Sequence, residues 1–211
     1  MKKPQIVNRV EFVADYARGK KVLHLGCIDH DLFEAKERRH VWLHQRLVEV
    51  AETTVGLDVL AERIPLLRSK GYDIRWADVE HLEDADMDMA FDLIVAGEII
   101  EHLSNPGLFL SGVKRCFSED TEMIITTPNC FALRRIPATL RNRERTRQDH
   151  TCWYSYDTLG QLLEVSGYRT SRVLFYAHMK AHSVGSRTQR AFYGVFPRLA
   201  DGLIFVVRPF R

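Results

Sequence analysis

Residues Phe91–Leu110 read FDLIVAGEIIEHLSNPGLFL, and this stretch decides the fold. FDLIVAG, Phe91 to Gly97, is a near-continuous apolar run with a polar residue only at its second position. Strands buried on both faces of a mainly parallel sheet read this way. Glycine and glutamate close the run, and Pro106 after Ser104-Asn105 opens a helix that reaches Phe117. The unit is therefore strand, polar turn, helix. Six more strand candidates repeat the pattern: Lys20–Cys27, Thr53–Val59, Tyr72–Asp78, Glu122–Pro128, Thr170–Ala177 and Gly202–Arg208. Helical spacing fills the gaps at Val7–Ala17, Leu32–Glu52, Leu60–Lys70 and Ser155–Ser166. The expectation is a doubly wound α/β sheet forming one domain over residues 1–211.

Composition agrees. The 211 residues are 45% hydrophobic and 27% charged, enough apolar material for a sizeable core. Thirty basic against 28 acidic residues give a formal charge of +2, which argues against binding nucleic acid through whole-molecule charge. Cys27, Cys116, Cys130 and Cys152 are far apart with no CxxC pair, so neither a disulfide framework nor a zinc knuckle is expected. No apolar stretch follows the lysines of MKKPQ, and no apolar run approaches the length of a membrane span. A cytoplasmic location is the resulting expectation.

Ligands of open α/β sheets bind at the carboxyl ends of the strands. There the sequence places Gly26-Cys27-Ile28-Asp29-His30-Asp31, then Asp58, Asp78, Gly97-Glu98-Ile99-Ile100-Glu101-His102 and Thr126-Thr127-Pro128-Asn129. Only Gly26 of a GxGxxG fingerprint is present, and a P-loop is absent, so a pyrophosphate-bearing dinucleotide does not fit. A nucleoside without phosphates does. Asp58 can accept from ribose hydroxyls, or cap the helix from Leu60, and Asp78 can take an adenine amino group.

VLHLGC, VGLDV, ADVE, FDLIVAGEIIEHLSNPGLFL, IITTPN and DHTCWYSYDTLGQLLEVSGY resemble, in order, the motifs of class I S-adenosylmethionine-dependent methyltransferases, over residues 18 to 178. The resemblance implies a Rossmann-like seven-stranded sheet of order 3-2-1-4-5-7-6 with the last strand antiparallel. It implies a cofactor site of Gly26, Cys27, Ile28, Asp58, Val59, Asp78, Val79, Gly97 and Glu98. In that site Gly26 and Cys27 pack against the methionine part, Asp58 binds ribose, Asp78 and Val79 flank adenine, and Gly97 and Glu98 lie beside the methionyl group. The first motif departs from the family. Ile28 and His30 stand where glycines are usual, and an insertion over residues 28–45, overlapping ERRHVWLHQRL (37–47), stretches the distance from Gly26 to Asp58.

ExxEH (Glu98, Glu101, His102) with the later His150 resembles the divalent-metal site of small-RNA 2′-O-methyltransferases, and in part ubiquinone-pathway O-methyltransferases. Such a set could hold magnesium, manganese or zinc and acidify a substrate hydroxyl. EHL after the fourth strand is also common in the superfamily without a metal, where the glutamate and histidine are structural or line the cofactor. His150 alone is a candidate general base, with Glu98 and His102 beside it. His40 and His44 have the i, i+4 spacing of a shared ion, or of one packed helix face with Trp42; His30 and His44 could instead line the crevice mouth. Cys27 reads as packing rather than as a nucleophile. Trp153, Tyr154 and Tyr156 could floor an acceptor pocket or belong to the core.

RRIPATLRNRERTRQ, Arg134 to Gln148, carries six arginines and one acidic residue, and reads as a solvated face or, over 134–155, as a lid contacting an anionic substrate. Near the end, Phe192, Val195, Phe196 and Leu199 have helical spacing and are expected in the core, the alternative being a membrane-surface or homodimer face. The function expected is S-adenosylmethionine-dependent O-methylation of a hydroxyl on a small molecule or glycan. The alternatives are an RNA 2′-O-methyltransferase and a non-catalytic cofactor-binding relative.

Overall fold

The computed structural model describes residues 5–29, 33–84, 89–178 and 184–210. His30, expected near the crevice mouth, lies outside them. The strands are β1 (Ile6–Val7), β2 (Lys21–Leu25), β3 (Thr53–Asp58), β4 (Ile74–Trp76), β5 (Phe91–Gly97), β6 (Phe117–Pro128), β7 (Tyr168–Tyr176) and β8 (Gly202–Pro209). The helices are α1 (Arg9–Ala17), α2 (Phe33–Arg38), α3 (Leu43–Val50), α4 (Ile64–Ser69), α5 (Pro106–Gly112), α6 (Ile136–Thr139), α7 (Tyr156–Val165) and α8 (Val184–Val195). One sheet has the order β1-β7-β8-β6-β5-β2-β3-β4. Without β1 this is the expected order of seven strands, and β8 runs antiparallel to both neighbours as expected. The eighth strand, β1, is a correction: Val7, expected in the first helix, instead pairs parallel with Tyr176 at the sheet edge.

Alternation along the strands sorts the core onto two faces. Val22, Leu93, Val95, Ile124, Ile204 and Val206 pack with Val13 and Ala17 of α1 and Leu43 and Leu47 of α3. Leu23, Leu25, Ile94, Ala96, Met123 and Ile125 pack with Phe109 and Leu110 of α5 and Leu159 and Leu163 of α7. With helices on both faces, each central strand side chain leaves water completely, at about 2 kcal/mol apiece.

Three further expectations are corrected. Leu32–Glu52 is two helices, broken at His40, whose φ of 51° is left-handed. His40 and His44 therefore share no helix face. His40 is exposed and 3.5 Å from Glu49, whereas His44 is buried. The helix from Pro106 ends at Gly112, and β6 begins at Phe117 rather than Glu122. Near the C-terminus, Tyr193 is the buried side chain, while Phe192, Val195 and Phe196 are exposed; of the expected apolar set, Leu199 alone packs on the core. No helix among the described residues is long and apolar enough to cross a membrane.

Candidate active site

The sheet order reverses between β2 and β5, and a crevice at such a switch point is where an open α/β sheet takes its ligand. A cavity of about 580 Å³ lies there. Gly26, Ile28, Asp58, Val59, Asp78, Val79, Gly97 and Glu98 line it, which brings together all the expected cofactor residues except Cys27. Cys27 lies beneath, buried with Trp42, Phe33 and Ile74. Burial and the charge of Asp58 push its thiol pKa well up, so it stays protonated and structural.

The first loop is built without the missing glycines. Gly26 has φ +61°, and a Cβ there would sit 3.0 Å from Ile99 Cγ1 and nearer still to Cδ1. The Ile28 amide donates to Asp58 Oδ2 at 2.7 Å, and the Leu60 amide to Oδ1 at 3.1 Å. One buried carboxylate at the end of β3 thus ties both loops that flank it. Asp58 both caps the following turn and faces the cavity, although α4 starts only at Ile64. The insertion contributes Trp42, whose indole N–H donates to the Cys27 carbonyl at 2.9 Å. This indole clamps a loop that no second glycine shapes. Asp78 similarly accepts from the Glu80 amide at 2.9 Å at the end of β4.

Glu98 follows β5 with φ 58°, a left-handed conformation that costs a non-glycine residue about 1–2 kcal/mol. The surroundings enforce it. Its amide donates to the Thr126 carbonyl at 2.9 Å. Its Oε1 accepts from Tyr176 Oη at 2.9 Å and Thr126 Oγ1 at 3.2 Å. Arg9, from the first turn of α1, reaches the same cavity and lies 6.0 Å from the Tyr176 ring centre. Burial alone would lower the Arg9 pKa, but Glu98 and Tyr176 raise it above its ordinary value.

Glu101, His102 and His150 offer ligand atoms that all lie within 4.8 Å of one another. Glu98 does not join them; its carboxylate turns to Tyr176 and Thr126. Glu101 is 1% exposed and accepts from Thr127 Oγ1 at 3.0 Å. Burial first, then the charge of Glu98, raises its pKa well above the carboxylate range. His102 Nδ1 faces the Asp149 carbonyl at 3.1 Å. The His150 ring meets His102 edge-on at 4.6 Å, and its Nδ1 is buried without a partner among the described residues. Burial and His102 lower the pKa of His150.

The far wall carries Arg134, Arg135, Arg145, Arg147, Trp153 and His178. Of the three aromatic candidates, Trp153 alone lines the cavity. Tyr154 is buried, and Tyr156 stacks on Phe175 at 6.1 Å. Sequence reasoning missed Arg9 and His178. Neither sits in a motif, and each reaches the site from an element distant in the chain.

A family model described as a methyltransferase domain matches residues 4–172. No curated protein matches the sequence. Solved structures do. A SAM-dependent methyltransferase from Archaeoglobus fulgidus is 18% identical, covering 94% of this chain and 90% of its own, with a TM-score of 0.60. A 1,6-didemethyltoxoflavin N1-methyltransferase from Burkholderia thailandensis, solved with 1,6-didemethyltoxoflavin and S-adenosylhomocysteine, is 12% identical, covering 96% and 77%, with a TM-score of 0.57. The small RNA methyltransferase HEN1 is 14% identical over 96% of this chain but only 25% of its own, with a TM-score of 0.62. At these identities the likenesses show the fold, while the match to the family model spans most of the sequence. The chain belongs to the methyltransferase-domain family, within the class I S-adenosylmethionine-dependent methyltransferases.

Proposed function

We propose that the chain methylates a hydroxyl oxygen of a small molecule or glycan, with His150 as the group that takes the proton. The observation that carries this reading is the His150 ring, in the wall of the same cavity as Gly26, Asp58 and Asp78, with a buried Nδ1 unpartnered among the described residues. Its lowered pKa keeps the imidazole neutral, and so able to accept a proton, down to below the usual histidine range.

The residues fit the cofactor. Gly26 leaves an open backbone where a Cβ would intrude, and Asp58 presents a buried carboxylate at the strand end. When bound, S-adenosylmethionine supplies a methyl group already activated on a sulfonium. Asp58 holds the ribose hydroxyls, Asp78 with Val79 the adenine, and the Gly97-Glu98 backbone the methionyl part, with Ile28 and Val59 alongside. With Asp29 paired to Lys36 at 2.8 Å and Glu98 facing Arg9, the carboxylates of Asp58, Asp78 and Glu80 leave this part of the lining net negative, which suits a cation. The chain's own contribution is then positioning, since the leaving group needs no further activation. Release of S-adenosylhomocysteine across a panel of hydroxyl compounds should identify an acceptor. On that acceptor, His150→Gln should lower turnover by about 100-fold and leave S-adenosylhomocysteine affinity within about twofold. Unchanged turnover would remove His150 from the role.

A second reading uses the same cluster for a divalent cation. Two imidazoles and one carboxylate are a fitting donor set for zinc or manganese, and less so for magnesium. Glu101, His102 and His150 would be the ligands, and the ion would supply acidity to a bound hydroxyl. Chelator treatment should then abolish activity, and added manganese or zinc should restore it and raise the Tm of the chelated protein. Full activity after chelation would leave His150 acting alone. An RNA acceptor has the ExxEH resemblance, the arginine-rich segment and the shared fold to support it, against a net charge of +2.

A further inference from the structure

Beside the main cavity lies a second one of about 470 Å³, lined by Cys130, Arg135, Thr139, Asn142, Arg143, Glu144, Arg145 and Trp153. Arg135, Arg145 and Trp153 line both cavities. The two are therefore neighbours across a shared wall, and Trp153 stands 5.3 Å, ring to ring, from His150.

The charges of this second cavity are unbalanced. Three guanidinium groups face one carboxylate, and that carboxylate is engaged: Trp153 Nε1 donates to Glu144 Oε1 at 2.7 Å. Of the other arginines of the segment, Arg141 donates to the Pro137 carbonyl at 3.1 Å and two are neutralised by carboxylates. Arg134 pairs with Asp201 at 2.9 Å, and Arg147 with Asp149 at 3.0 Å. Among the described residues, the side chains of Arg143 and Arg145 have no such partner. Arg135 is fixed in place. Its guanidinium lies 3.8 Å above the Trp153 ring, one of its terminal nitrogens donates to the Arg145 carbonyl, and its Nε is buried without a partner. Burial and the neighbouring Arg134 lower its pKa, against the opposing pull of Tyr176 and Asp201. A solvated arginine face spreads its charges outward. This one gathers them round a concavity beside the reacting centre.

We infer that the second cavity is an oxyanion subsite of the acceptor, in which Arg135, Arg143 and Arg145 seat a phosphate or carboxylate group while the acceptor's hydroxyl reaches His150 past Trp153. The inference rests on the transferase reading above and names the acceptor class: a hydroxyl compound carrying an anionic group. Arginine forks suit both oxyanions, and Asn142 adds a neutral donor. The whole cavity system is then divided by charge, acidic toward the cofactor and basic toward the acceptor.

Calorimetry on the full chain tests this. The protein is first titrated with S-adenosylhomocysteine, then, saturated, with sodium pyrophosphate and separately with sodium citrate at constant ionic strength. Saturable binding of one anion is expected, weakened at least tenfold in Arg143→Gln/Arg145→Gln, with S-adenosylhomocysteine affinity retained. The single variant Arg143→Gln touches only the second cavity and should weaken binding about threefold. Tighter binding of pyrophosphate assigns a phosphate group, and tighter binding of citrate a carboxylate. Should S-adenosylhomocysteine bind while neither anion does, or should the double variant bind as the native chain does, the subsite is refuted and the transferase reading stands. Failure to bind S-adenosylhomocysteine would overturn the transferase reading, and this assignment with it.

Discussion

Single residues set this site by what they exclude as much as by what they offer. Gly26 is placed at φ +61° against Ile99, so Gly26→Ala strains the backbone and pushes a methyl group into the loop. We expect S-adenosylhomocysteine affinity to fall at least tenfold, with most of the fold retained by circular dichroism; native affinity would show that the loop adapts. Asp58→Ala removes the acceptor of two backbone amides as well as the ribose partner. It should weaken S-adenosylhomocysteine binding by tenfold or more and lower Tm by a few degrees, the second effect separating loop support from ligand contact. Glycine and aspartate at strand ends were legible because position along the chain alone places them at the crevice. Arg9 was not, because its relation to Glu98 exists only once α1 packs on the sheet. The left-handed Glu98 was equally silent, since nothing in GEIIEH distinguishes a glutamate held by Tyr176 from one turned to a metal.

At the scale of elements, periodicity and punctuation were good guides and interruptions were poor ones. Ser155 was read as a helix start, and it forms a capping box with Thr158, its hydroxyl accepting from the Thr158 amide at 3.1 Å. Ser155→Ala should cost about 1 kcal/mol, read as a Tm drop of about 2–4 °C. A drop under 1 °C would mean that packing of Leu159 and Leu163 alone positions α7. Strands such as β5 and β8 were legible because burial on both faces leaves a near-continuous apolar run. β1, with two residues, is too short to leave any pattern. The break between α2 and α3 was hidden because the apolar spacing of Trp42, Leu43 and Leu47 resumes after His40 without a glycine or proline to mark the turn. The exposed face of α8 misled for the same reason: helical spacing shows that a face exists, not what covers it.

At the scale of the whole molecule, the stability of the fold depends on pH through a pair of histidines no motif marks. His24, next to the end of β2, and His44, on α3, are 2% and 0% exposed, with Nδ1 atoms 3.2 Å apart. Burial, then the nearby His44 and Arg9, pushes the pKa of His24 well down. Burial pushes His44 down to about 4, opposed only by Asp73. Both are neutral in the fold, where one N–H can donate to the other ring, while an unfolded histidine titrates near 6.5. The unfolded chain therefore binds more protons than the folded one below about pH 6.5, so stability rises with pH across that window. The pair's contribution is intact above pH 7 and is lost as pH falls from 6.5 toward 4. For His44 alone the loss is on the order of 3 kcal/mol, a large share of the 5–15 kcal/mol that is typical of a domain. Chemical denaturation at pH 7.5, 6.0 and 5.0 should show the decline. In His44→Leu it should be markedly shallower, because leucine fills a similar volume and binds no proton. An equally steep decline in that variant would assign the acid sensitivity elsewhere, with His24 the next group to replace.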